Sequence, residues 1–208
     1  MPTTTTDHDV MPHPKLTPIF GTPNQRTVTL LRAELLANSK SVPSDGGDGI
    51  LGHARLVLVA AEYSANSQGH VGYIAPVKPA PVVHLHNASA AAMYRNDAAY
   101  KSAFAAWKLH HDTEATLLQQ LIAAVDDTFT QALHDELWGY VNTTTLALLT
   151  HLHSTYSKIT AEDMQANRVQ LTHQWTPPDD VENFFPNINN CIKFSAAGGD
   201  PISEVNAV

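Results

Sequence analysis

The stretch from Val141 to Ser203, VNTTTLALLTHLHSTYSKITAEDMQANRVQLTHQWTPPDDVENFFPNINNCIKFSAAGGDPIS, decides the fold class. Leu146, Leu149, Leu152 and Tyr156 follow one another at spacings of three, three and four, which places them on one helical face, and Leu148 widens the stripe. Thr143, Thr144 and Thr145 suit the start of that helix. Thr160-Ala-Glu-Asp163 has the form of a capping box, in which the threonine hydroxyl accepts a first-turn amide, and Met164, Val169 and Leu171 supply apolar positions behind it. Trp175, Pro177 and Pro178 stop this second helix. A third should begin near Asp179-Asp180, whose charges suit a helix N-terminus, and carry Val181, Phe184, Phe185, Ile188, Ile192 and Phe194. Pro186 lies inside that pattern without an amide donor, at a cost of roughly 3 kcal/mol in a helix interior, so a kink or a late start is expected. Gly198-Gly199 ends the helix, and Pro201 is placed to open another. Three helices in succession with no catalytic constellation read as a packing and assembly module.

Upstream, Asn87 to Val125 holds neither proline nor glycine. It sets Tyr100, Phe104, Trp107 and His111 on one stripe and Leu117, Leu118, Leu121, Ile122 and Val125 on another. One long helix is predicted, or two broken near Asp112-Thr113. Asp126-Asp127 caps a following helix with Phe129, Leu133 and Leu137, ended by Gly139. Between Gly69 and Pro81, prolines and glycines alternate with apolar residues, as expected of an extended connector. Leu56 to Val59 has the β-branched content of a short strand running into a helical turn over 60–66. Val28, Leu31, Leu35 and Leu36 mark a helix from Asn24 to near Asn38. Ser44 to Gly49 is dense in glycine and reads as a turn. Residues 1–23 are rich in threonine and proline without periodicity, the composition of a disordered arm. The fold expected is therefore mainly α, a helical bundle with a disordered N-terminal arm (1–23) and one short β element. A small N-terminal helical portion (24–66), a connector (67–86) and a larger helical domain (87–208) follow.

Composition narrows the function. Charged residues are 15% of the 208, so the surface draws its polarity from Thr, Asn, Gln, Ser and His, and such a surface tolerates contact with its own copies. The formal net charge of -8, with basic residues scattered singly, opposes a nucleic-acid groove, since phosphate neutralisation requires clustered cations. A single cysteine, Cys191, excludes an internal disulfide and fits a reducing, cytoplasmic setting. No signal peptide and no membrane-spanning run is read in the sequence.

Candidate chemistry is sparse. The pairs His84/His86, His110/His111 and His151/His153 resemble metal clusters, but two helical ligands need i, i+4 spacing to share a face. His110 and Glu114 have that spacing without the HExxH context, and surface or half-buried polar histidines are the plainer reading. Collective titration of the twelve histidines near pH 6.5 is a further expectation. His134-Asp-Glu-Leu137 spells a retention signal within the chain, where no receptor reads it, and is taken as helix. Cys191 falls on an apolar helical face and reads as a small core residue rather than a nucleophile. Trp107, Trp138 and Trp175 read as core anchors, Trp175 also as an anchor for a neighbouring copy. No catalytic residue, metal ligand or cofactor is assigned, and no enzyme activity is expected. The alternative is a histidine-using, metal-dependent enzyme on a helical bundle.

The order of several motifs carries a resemblance. PIFGTPNQRTVTLLRAELLAN, GGDGILGHARLVLVAAEY, LLQQLIAAVDD, TTTLALLTHLHSTYSKITAEDMQANRVQL, QWTPPDDVENFF and FSAAGGDPIS, spread over most of residues 18–203, resemble the Gag-like protein of Copia-type long-terminal-repeat retrotransposons. The resemblance implies a helical capsid-like region whose copies assemble into a shell around element RNA, with enzymes encoded in separate regions. Two departures are Pro186 and the lack of a Cys/His knuckle within the chain, which leave open a decayed or truncated copy, a fragment of a longer Gag, or a host-retained remnant. The implied partner is a further copy of the chain, through exposed apolar positions at Trp175, Phe184 and Phe185. RNA would be reached only through regions outside this chain, and no membrane partner is expected.

Overall fold

The computed structural model describes residues 11–172 and 181–202, apart from the side chains of Val181 and Asn183. Among these residues there are seven α-helices and no strand: α1 (Gln25–Ser41), α2 (Ala60–Asn66), α3 (Ala90–Ala124), α4 (Asp127–Thr130), α5 (Thr145–Tyr156), α6 (Ala161–Leu171) and α7 (Val181–Ala197). The chain is mainly α, as its periodicity predicts.

Helix starts follow the local chemistry. Asn24 caps α1 by accepting from the amides of Arg26 and Thr27, and Thr27 returns a bond to the Asn24 amide. Thr144 caps α5. Thr160 and Asp163 form the expected box at α6. The Asn87–Val125 stretch becomes one uninterrupted helix, α3, of 35 residues, about 52 Å long at 1.5 Å per residue.

Three helices make the core. Val28, Leu31 and Leu35 of α1 bury against Leu117 and Leu121 of α3 and Leu148, Leu149 and Leu152 of α5. Leu148, at the margin of the stripe read from spacing, is fully buried. Residues of the expected 24–66 and 87–208 portions thus share one apolar cluster. Every buried residue of α3 lies from Thr113 onward. Its first half instead carries a ladder of rings, Tyr100 on Phe104, Phe104 on Trp107 and Trp107 on His111, with centroids 5.5–5.9 Å apart.

The connector is extended as expected and runs antiparallel to that half. Tyr73 bonds His110 at 3.0 Å, Lys78 lies over the Trp107 ring at 5.0 Å, and His84 meets Asp97 at 3.0 Å. Tyr73, Pro76, Pro79 and Val82 are half-buried while the residues between them are exposed. A period of three is that of a polyproline II helix resting one edge on its support.

Four expectations are corrected. The disordered arm does not extend over 11–23: Met11, Leu16 and Ile19 are buried in the core. Two α1 side chains satisfy the arm's backbone. Glu34 accepts from the amide of Thr17 at 2.8 Å and from its hydroxyl at 2.6 Å. Asn38 exchanges bonds with the backbone of His13 at 2.8 and 2.7 Å. The β element at 56–59 is instead a 3-10 turn, Ala54–Leu56, leading to α2. The amides of Val57 and Leu58 both reach the Ala54 carbonyl, and no strand among the described residues is there to pair with them.

The helix expected from Asp126 to Gly139 stops after one α turn and a 3-10 turn, Gln131–Leu133. Asp135 then accepts from the amides of Leu137 and Trp138, both at 2.9 Å. The backbones of Asp135 and Gly139 pair, with Gly139 at φ +60. The HDEL segment is therefore a turn, and Trp138, at 66% exposure, is no core anchor. Finally, Val169 of α6 is exposed and Asn167 is the buried residue of that helix.

Leu121→Ala should lower the unfolding free energy by about 2–5 kcal/mol in urea titrations, the range for a buried leucine truncated to a cavity. Leu137→Ala, on the exposed turn, should change it by no more than about 0.5 kcal/mol.

Candidate functional site: a groove between α1 and α7

The α6–α7 hairpin is joined to the bundle by polar chemistry. Asn167, fully buried, donates from Nδ2 to the Cys191 carbonyl at 2.9 Å and to Ser195 Oγ at 2.8 Å, locking α6 to α7. Its Oδ1 accepts from Arg26 Nη2 of α1 at 3.0 Å, and the same nitrogen donates to Gln170 at 2.9 Å. The Arg26 guanidinium also lies over the Phe194 ring at 4.8 Å, a cation–π contact. At the end of α7, Gly198 lies against Met164, whose sulfur would have to move aside for a Cβ at that position.

This joint leaves an open groove of about 670 Å³ between the two helices. Leu30 and Ala33 of α1 form one wall, and Phe184, Ile188, Phe194 and Ala197 of α7 the other. Gln170 and Arg26 lie at the base of the joint, and Lys193 adds a cation to the lining. The volume lies in the range of about 300–1,000 Å³ that suits burial of a compact apolar body.

Of the residues singled out for self-association, Phe184 lines this groove. Phe185 is 61% exposed on the same helix, its ring edge-on to Phe184 at 5.7 Å. Trp175 lies outside the described residues. Sequence reasoning missed the α1 wall. The available signal was Leu30, an apolar residue off the Val28–Leu31–Leu35 stripe and 46% exposed. Cys191 is buried as expected, and burial pushes its thiol pKa up.

A second cluster gathers around His110. His53, buried, meets the Val42 carbonyl through Nδ1 at 3.0 Å. Its ring lies 5.5 Å from that of His110. The Tyr73 hydroxyl sits between His110 Nδ1 at 3.0 Å and Ser44 Oγ at 3.1 Å. The 44–49 stretch is the expected turn, and it closes over these rings: a Cβ on Gly47 would collide with the Tyr63 hydroxyl. His110 is pushed down to about 4 by burial, with smaller contributions from His53 and His111. Burial likewise lowers the pKa of His53.

Glu114, four residues from His110, faces elsewhere. Its carboxylate accepts from the Thr145 amide at 2.6 Å, and its pKa is raised, chiefly by burial. Among the described residues, no group of three or more His, Cys, Asp or Glu side chains could hold a metal ion. Likewise, no helix among them is long and apolar enough to cross a membrane.

Fold and site together define a mainly α helical protein with an open apolar groove beside a polar joint. No family model, no curated protein and no solved structure matches the chain.

Because His110 and His53 are neutral when folded and take up protons more readily when unfolded, stability should be full above about pH 6.5. It should fall as the pH drops from there toward about 4, the value of His110. His110→Gln should flatten that slope in urea unfolding measured across the range.

Proposed function

We propose that the chain is a structural, self-assembling Gag-like capsid protein of a Copia-type retrotransposon, or a remnant of one. The ordered motifs along residues 18–203 motivate the family reading. The observation that carries the self-association is the open groove between α1 and α7, with Phe184 in its wall and Phe185 exposed on the same helix. Apolar side chains held open to water on a regular helix are the common means by which copies of one chain meet. The low charge content removes much of the repulsion that would keep such copies apart.

Function in this reading is mechanical: contacts repeat from copy to copy, and the chain itself performs no bond-making step. RNA contact belongs to regions outside this chain, and the setting is cytoplasmic.

Phe185→Asp should abolish large assemblies, seen by sedimentation and electron microscopy, while leaving helical circular dichroism and the unfolding midpoint unchanged. Unfolding of the variant monomer would assign Phe185 to the core and sink this choice of contact.

A further inference from the structure

The α4–α5 connection holds a second apolar feature, a knob. Leu137 is 86%, Trp138 66% and Val141 75% exposed. The backbone of the knob is held in one turn, because the Asp135 carboxylate accepts from the amides at 137 and 138 and the backbones of Asp135 and Gly139 pair. A turn whose backbone is already set loses little backbone freedom on docking, and tryptophan is enriched among residues that dominate interfaces.

From this we infer that the Leu137–Trp138 knob of one copy seats in the α1–α7 groove of the next, with Asp135 and Glu136 of the knob facing Lys193 at the groove. The inference rests on the self-association proposed above and names its two faces.

Size and charge both support the match. A groove of about 670 Å³ is in the range that buries a body as large as an indole with an isobutyl group. The knob is flanked by two acids, while the groove contains Arg26 and Lys193. None of these four side chains takes part in an ion pair among the described residues. Asp135 is ionised at neutral pH, since the Trp138 and Leu137 amides hold its pKa below the usual carboxylate value. Asp163 already lies near enough to Arg26 to feel its charge, so Lys193 is the main complement. No residue belongs to both faces. Where a pair of copies engages one knob and one groove, the contact is heterologous, leaves a free knob and a free groove at the ends, and propagates from copy to copy instead of stopping at a pair.

Sedimentation velocity on the full chain over a concentration series tests this. Wild-type protein should form species beyond the dimer. Trp138→Ser on the knob and Ala33→Glu in the groove should each weaken association about 30-fold or more, as loss of a central aromatic anchor does. A one-to-one mixture of the two variants should form a dimer and nothing larger, since only one intact knob and one intact groove remain per pair. Glu136→Lys and Lys193→Glu, surface changes that leave the apolar tip untouched, should each weaken assembly, and the double variant should recover it. If wild-type protein stays monomeric throughout, the self-association reading fails and this inference with it. If wild-type protein assembles but Trp138→Ser assembles equally well, or the mixture stays monomeric, or the double variant does not recover, the knob and groove are not the contact while self-association stands.

Discussion

Leu31 and Leu35 of α1, Leu117 and Leu121 of α3, and Leu148 and Leu152 of α5 retain at most 1% of their exposure, and the remaining elements are placed relative to that contact. Fully burying each side chain is worth roughly 1.5–3 kcal/mol relative to leaving it in water. The six together hold three helices that have no covalent reason to meet. Once α1 is fixed, its other faces become attachment surfaces. Glu34 and Asn38 receive the segment before it, and Arg26 receives the α6–α7 hairpin. The groove exists because α7 reaches α1 through one end of its length and leaves Leu30 and Ala33 uncovered.

The two kinds of joint differ in character. Within the core, burial is apolar and nondirectional, which tolerates small shifts. Between α6, α7 and α1 it is made of directed bonds through Asn167, whose amide serves three partners at once. A buried amide left unpaired costs about 1–3 kcal/mol, so this joint accepts few geometries. A polar joint of that kind sets the width of the groove more sharply than leucine contacts would.

Legibility in the sequence followed the range of the interaction. The helix starts near Asn24, Thr144 and Thr160 and the helicity of the α3 stretch depend on residues within a turn or two and could be read from the chain alone, whereas one helix or two broken near Asp112-Thr113 stayed open until the tertiary structure joined them. The extended course of 71–82 was also readable, because proline restricts its own backbone. What failed depended on distant partners. Residues 11–23 carry no periodic face, yet they are ordered by Glu34, Asn38 and Gln120, the last more than one hundred positions away. Leu56 to Val59 has strand propensity and no neighbouring strand among the described residues. The Asp126–Gly139 pattern looked helical, but Asp135 captured the amides a helix would have used.

By itself, then, the sequence determined the helical class, the helix starts, the helicity of the stretch that becomes α3 and the apolar stripes of α1 and α5, because local hydrogen bonding and side-chain period are written in short windows. It also pointed to Phe184 and Phe185 as apolar positions on one helix. Only the tertiary structure decided that Phe184 faces a groove while Phe185 faces water, that Leu30 and Ala33 complete that groove, and that Trp138 stands out on a turn. Those outcomes follow from which helix faces compete for the core, and that competition is settled between residues far apart in the chain.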